Sequence, residues 1–159
     1  MLEKMYQNRL KGYKKLGYHS KLVTGDTSEI IFDADSFETA LYNDINGATR
    51  EIIIASPYLH EKAVTKFLHN VSDLQGIEIA VYTKESEKNL DRVQQIVELL
   101  KTASIKVHVL PKLHQQFVII DNNILWYGEL NPLCFAGEDD IVMRIPSREI
   151  SSDLLARTI

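Results

Sequence analysis

The chain has 159 residues, of which 45% are hydrophobic and 25% are charged, and its formal net charge is −4. This length suits one domain that buries a substantial core. The negative net charge argues against a protein that coats nucleic acid over its whole surface. No apolar run approaches the roughly eighteen residues that a membrane span needs, so no membrane partner is predicted.

The single cysteine, Cys134, leaves no possibility of an internal disulfide and favours a reducing cytosolic compartment. The residues Met1–Tyr6 lack the apolar stretch of a signal peptide. We therefore expect a cytoplasmic protein.

Residues 1–25 form a basic arm. Its first 21 residues contain six Lys and Arg against one acid, with three tyrosines interleaved. Basic side chains neutralise phosphates and tyrosines stack on bases, which favours nucleic-acid binding. The alternative is a solvated helix whose tyrosines dock on the domain, since short basic stretches are common on surfaces. The predicted nucleic-acid contacts are Lys11, Lys14 and Lys15.

Residues 26–159 alternate strand and helix patterns and form the predicted main domain. The continuous apolar run Ile52–Ala55 is typical of a strand buried on both faces. Strands separated by helices of this length imply βαβ units and a mostly parallel sheet. The predicted strands are 29–32, 51–56, 77–82 and 105–110, and the predicted helices are 37–46 after an N-cap at Ser36, 61–74 and 90–103.

Beyond Pro111 the rhythm changes to strands that follow one another closely. Residues 117–121 and 124–127 predict a hairpin linked by Asn122-Asn123, because Asn tolerates the positive φ of such turns. A strand at 141–145 and a closing helix at 149–156 complete one α/β domain, with a mixed, mostly parallel sheet flanked by helices.

Polar residues at fixed spacing surround the predicted hairpin. Together they resemble the HKD motif of the phospholipase D superfamily. In that motif one residue separates His from Lys and four separate Lys from Asp, and after six further residues come Gly-Ser, one residue and Asn. Gln116 stands in the position of the Lys, and Glu129 in that of the Ser. The four matching residues are His114, Asp121, Gly128 and Asn131.

The resemblance extends over nearly the whole chain. Ile52–Leu59 is similar to the central strand of that superfamily, and the segments 126–128 and 131–133 are similar to a bacterial branch often attached to DEAD-box or superfamily-one helicases. Residues 6–25 fit the same branch. The resemblance implies a phospholipase D-like fold, nucleic acid as a partner, and a helicase as a partner or fusion.

The resemblance also implies metal-free cleavage of a phosphodiester, without a cofactor. Two histidines meet at one site, where one attacks phosphorus and the other protonates the leaving alcohol and then activates water. This chain contains one motif, so a complete site requires a two-fold homodimer with both His114 side chains facing each other. The implied catalytic residues are His114 and Asp121, and the implied phosphate-binding residues are Gln116, Glu129 and Asn131.

The two replaced positions argue against ordinary activity. Gln116 lacks the positive charge of a lysine, and the carboxylate of Glu129 would repel a bound phosphate. Two alternatives reduce this loss: Lys112 swings in as a substitute cation, or Glu129 is protonated in a desolvated pocket.

Two interpretations of His114 remain beside the catalytic one. It is a histidine at a strand end without chemistry, or it ligates a hard cation together with Asp121 and Glu129. At the level of function, the chain is either a degenerate, weakly active or inactive phospholipase D-like domain of a helicase-associated or defence protein, or an active nuclease that uses a phospho-His114 intermediate.

Overall fold

Seven strands and four helices lie within residues 30–159, which are the residues that the computed structural model describes. The predicted contacts Lys11, Lys14 and Lys15 lie outside them. The strands are β1 (Ile31–Asp33), β2 (Glu51–Ala55), β3 (Glu78–Lys84), β4 (Lys106–Leu110), β5 (Phe117–Ile120), β6 (Ile124–Gly128) and β7 (Ile141–Ile145). The helices are α1 (Phe37–Asn46), α2 (Glu61–Val71), α3 (Leu90–Thr102) and α4 (Arg148–Thr158).

The predicted elements within these residues are confirmed in type and order. The largest boundary error is at α2, which ends at Val71 rather than at Leu74. In α3, Ile96 and Leu100 are buried, whereas Leu90, at the first turn, is 52% exposed.

One mixed sheet contains all seven described strands, in the order β1-β7-β6-β5-β2-β3-β4. The expectation of a mixed α/β sheet flanked by helices is confirmed. The expectation that parallel pairs predominate is wrong for the described strands, because only β2–β3 and β3–β4 are parallel. The other four pairs are antiparallel: β1–β7, β2–β5, β5–β6 and β6–β7.

Hydrophobic side chains divide between the two faces of this sheet. Ile52 and Ile54 of β2 pack with the apolar sides of α1, α2 and α3. Ile53 and Ala55 point to the opposite face, where residues of α4 pack against them and against β5. Burial on both faces explains why β2 lacks polar alternation. Within residues 30–159, no helix has the length and apolar character that crossing a membrane requires.

A buried polar cluster fixes β6 and β7 against α1. Trp126 on β6 is 1% exposed, and its indole N–H donates to Asp44 at 2.8 Å. Arg144 on β7 donates to both carboxylate oxygens of Asp44, at 2.6 and 2.9 Å. Each polar group in this partly buried cluster therefore has a partner, as burial requires.

The turn between β5 and β6 begins one residue earlier than predicted. The backbone has positive φ at Asp121 (53°) and Asn122 (52°), and the N–H of Asn123 closes the turn on the carbonyl of Ile120 at 3.0 Å. Asp and Asn tolerate this conformation better than other residues with a side chain.

The carboxylate of Asp121 ties this turn to the residues that lead into β2. It accepts hydrogen bonds from the N–H groups of Thr49, Arg50 and Glu51 at 2.8, 2.7 and 3.0 Å, and from the Thr49 hydroxyl at 3.1 Å. Burial alone would raise the pKa of Asp121, but these bonds outweigh it and hold the pKa below its ordinary value.

We expect Asp121→Asn to lower the free energy of unfolding by about 1–3 kcal/mol at pH 7. Asn tolerates the positive φ, but it lacks the charge and turns an NH₂ group towards N–H donors. Since the folded-state pKa of Asp121 is depressed, its stabilising effect is present above the unfolded pKa of about 3.9 and is lost as the pH falls through the folded value.

Urea unfolding of both proteins at pH 7 and at low pH measures this difference, which should shrink on acidification. Asp153→Asn is the matched control, because Asp153 lies on the exposed surface of α4, where it pairs with Arg157. Its effect should stay below about 1 kcal/mol. Equal stability of the two variants at pH 7 would contradict the anchoring role of Asp121.

Candidate phosphodiester site

Three chain segments meet at one edge of the sheet. β5 is antiparallel to both β2 and β6, so the residues before β5 lie beside those that follow β2 and β6. This topology brings His114 and Gln116 to the same edge as Glu129 and Asn131.

Gln116 and Asn131 form a direct amide pair. The Nδ2 group of Asn131 donates to Oε1 of Gln116 at 2.6 Å, and Oδ1 of Asn131 accepts from the N–H of Leu133 at 2.8 Å. Asn131 is 3% exposed, so this pair is a fixed part of the edge rather than a surface contact. The position of the motif lysine thus holds a neutral group bonded to the motif asparagine.

A glycine is required at position 128, because β6 and β7 approach each other closely there. Its φ is 155°, and a Cβ atom there would lie 2.6 Å from the carbonyl oxygen of Ile141 and 2.8 Å from Cα of Val142. A side chain would therefore push the two strands apart and displace the segment that leads to Asn131.

Glu129 is exposed and bonded to the first residue of β7. Its N–H donates to the carbonyl of Ile141 at 2.9 Å, and its carboxylate accepts from the N–H of Ile141 at 3.0 Å. The desolvated pocket suggested for Glu129 is not found, because this residue is exposed. The carboxylate is therefore held against the start of β7.

His114 is exposed in the segment between β4 and β5, next to Leu113, which is 2% exposed and packs in the core under α4. Anchoring by Leu113 fixes the backbone while His114 remains accessible from outside. Lys112 is also exposed. That Lys112 replaces the motif lysine as the phosphate-binding cation stays a prediction.

The structure does not bring Asp121 together with His114. Asp121 directly follows β5, whereas His114 lies three residues before it. The whole four-residue strand, roughly 13 Å long, therefore lies between them. The proposed cation site of His114, Asp121 and Glu129 therefore does not converge. Within residues 30–159, no group of three or more His, Cys, Asp or Glu side chains is placed to hold a metal ion.

Sequence reasoning missed two clefts at the ends of β2 and β3. One, of about 780 Å³, is lined by His60, Lys62, Arg92 and Phe135 among others, and the other, of about 260 Å³, by residues including Tyr58 and Lys84. His60, Glu61 and Arg92 line both. These side chains come from distant segments and follow no short motif, so only the fold reveals their proximity.

A family model described as "cardiolipin synthase, PLD-like domain" matches residues 41–157. The matched region contains His114, Gln116, Glu129 and Asn131, and thus the whole edge described above. The chain belongs to the phospholipase D-like family. A search of the curated proteins gives no match.

Solved structures share the phospholipase D-like fold. NucT from Helicobacter pylori is 20% identical, with 80% of this chain and 90% of NucT covered and a TM-score of 0.62. Nuc from Salmonella typhimurium, described as a phospholipase D family member, is 13% identical over 80% of this chain and 87% of its own, with a TM-score of 0.61. TrmBL2, an archaeal chromatin protein, is 11% identical over 98% of this chain and 60% of its own, with a TM-score of 0.53.

Proposed function

We propose that this phospholipase D-like domain recognises phosphodiesters of nucleic acid but hydrolyses them weakly or not at all. The observation that carries the proposal is the 2.6 Å hydrogen bond between Gln116 and Asn131. These residues occupy the two positions that clamp phosphate oxygens in the HKD motif, and here they bind each other.

The electrostatics of the edge support low activity. A phosphoryl transition state is stabilised by preorganised donors and cations, and the loss of one such donor costs about a hundred- to a thousand-fold in rate. Gln116 supplies no charge, and the exposed carboxylate of Glu129 lies two residues before Asn131. In a symmetric dimer both half-sites would carry both changes.

The alternative is an active metal-independent nuclease, and the exposure of His114 favours it. The imidazole of one His114 would attack phosphorus, while the second protonated His114 would give its proton to the leaving alcohol oxygen. Water, deprotonated by that second histidine, would then cleave the phosphorus–nitrogen bond and release the phosphate product. This sequence requires two copies of His114, and therefore a homodimer.

Nucleic acid is the proposed partner, within a helicase-associated or defence protein. The description of TrmBL2 as a chromatin protein with a novel mode of DNA binding supports this partner. The basic arm with Lys11, Lys14 and Lys15 supports it from the sequence. A helicase partner or fusion rests on the resemblance to the helicase-attached branch.

We expect the double variant Gln116→Lys/Glu129→Ser to hydrolyse bis(p-nitrophenyl) phosphate at least about a hundred-fold faster than the wild type. The lysine restores a phosphate-binding cation, and the serine removes a repelling charge. Rates are measured with EDTA present, so that adventitious metal-dependent nucleases are silent.

The triple variant that adds His114→Ala to these changes is the control, because it keeps the restored clamp and lacks the nucleophile. Its rate should return to background. A double variant with intact folding and no gain in rate would contradict the assignment of low activity to these two positions.

We also expect the chain to form a two-fold homodimer that places two His114 side chains face to face. Sedimentation equilibrium at micromolar concentration should give twice the chain mass of 18.2 kDa. A monomer across that range would exclude a composite site.

A further inference from the structure

The clefts at the ends of β2 and β3 concentrate positive charge in an acidic domain. Residues 30–159 contain 12 Lys and Arg against 19 Asp and Glu. Five cations nevertheless line the two clefts: Lys62, Lys84, Lys88, Arg92 and Lys66, the last of which is paired with Glu38. The single acid that lines them is Glu61. The nearby acids Glu85, Glu87 and Asp91 are exposed and do not line either cleft.

Two exposed aromatic rings flank these cations. Tyr58 is 62% exposed and lines the smaller cleft, and Phe135 is 65% exposed and lines the larger one. Each ring is held by a neighbour: Lys84 Nζ lies 5.0 Å from the centroid of the Tyr58 ring, and the rings of Phe135 and His60 are 3.7 Å apart between centroids. Fixed aromatic surfaces beside cations are the arrangement on which single-stranded nucleic acid binds.

We infer that this rim, formed by Tyr58, Lys84, Lys88, Arg92 and Phe135, binds single-stranded nucleic acid. Lys88 and Arg92 contact backbone phosphates, and bases stack on Tyr58 and Phe135. Duplex is disfavoured, because its bases are already stacked on each other and cannot reach the rings. The inference rests on the proposed function, in which nucleic acid is the partner. It adds that the nucleic acid is single-stranded and names the residues that bind it.

The larger cleft adjoins Asn131 of the candidate phosphodiester site. A third cleft, of about 260 Å³, is lined by Asn131 and also by Lys62 and Phe135 of the larger cleft. A backbone hydrogen bond also joins the segment of His60 to the segment after Asn131: the N–H of His60 donates to the carbonyl of Leu133 at 2.9 Å. The rim therefore adjoins Asn131, whereas these three clefts do not extend to His114 or Gln116.

The test is fluorescence anisotropy of labelled oligonucleotides of about ten nucleotides with the full chain, as single-stranded DNA, single-stranded RNA and duplex. Lys88→Ala/Arg92→Ala should weaken single-strand binding by about ten-fold and reduce the salt slope of log K by about 0.7 for each lost phosphate contact. Tyr58→Ala and Phe135→Ala should each weaken it by about five- to a hundred-fold, with little change in that slope.

Conservative variants separate stacking from folding. Tyr58→Phe keeps a ring and should bind as the wild type does, whereas Phe135→Leu keeps the apolar bulk and should bind as weakly as Phe135→Ala. Lys101→Ala and Arg157→Ala are the charge controls, because both cations are exposed and lie outside the clefts. Circular dichroism and the thermal midpoint verify the fold of each variant.

Either DNA or RNA as the preferred strand supports the inference. Unchanged binding in all rim variants, with loss only in Lys11→Ala/Lys14→Ala/Lys15→Ala, would overturn it and leave the proposed partner intact. Equal affinity for duplex and single strand would also overturn it. Absence of binding to every oligonucleotide would overturn both the rim and the nucleic-acid partner.

Discussion

The position of β5 between β2 and β6 is the constraint on which the site depends. All four residues of β5 are buried, and its register with β2 runs from Ile52 opposite Ile120 to Ala55 opposite Phe117. A slip of one residue would move each buried side chain to the opposite face of the sheet. The hydrogen bonds to Asp121 fix one end of this register, and so they determine where Gln116 and His114 emerge at the other end.

In this arrangement, residues of the one motif have two separate physical roles. Asp121 binds the backbone at the start of β2, whereas Gln116 pairs with Asn131 at the opposite edge. The motif therefore spans the sheet, from Asp121 at one end of β5 to Gln116 at the other. Gln116, in the position of the motif lysine, accepts a hydrogen bond from Asn131 and carries no positive charge, which is the basis of the low activity that we propose.

Much of the fold could be predicted from local patterns. The apolar run of β2 and the closely spaced strands β5 and β6 are visible in the sequence, because each is set by residues close together in the chain. Ser36 precedes α1 as predicted, but its hydroxyl bonds to Asp33 and does not cap the helix. The balance of parallel and antiparallel pairs was not predictable in this way, since it depends on which strands become neighbours. The position of the turn at Asp121-Asn122 was missed by one residue, because Asp and Asn both accept a positive φ.

The residues of the candidate site could be named from the sequence, but their geometry could not. Spacing placed His114 and Asp121 in one motif, but only the strand between them shows that they lie at opposite ends of β5. The direct bond between Gln116 and Asn131 also needs the fold, since fifteen residues separate the two in the chain. Tyr58, Arg92 and Phe135 come from three segments, so no sequence window contains the rim that they form.

Hydrolysis of bis(p-nitrophenyl) phosphate by the wild type and by His114→Ala, both with EDTA, tests the central claim most directly. If the neutral amide pair and the carboxylate of Glu129 impair the site, the wild type should hydrolyse the substrate at most weakly above the background rate of His114→Ala. EDTA-resistant turnover by the wild type that is as fast as that of Gln116→Lys/Glu129→Ser and disappears with His114 would contradict that claim and make Gln116 and Glu129 parts of a working phosphodiesterase.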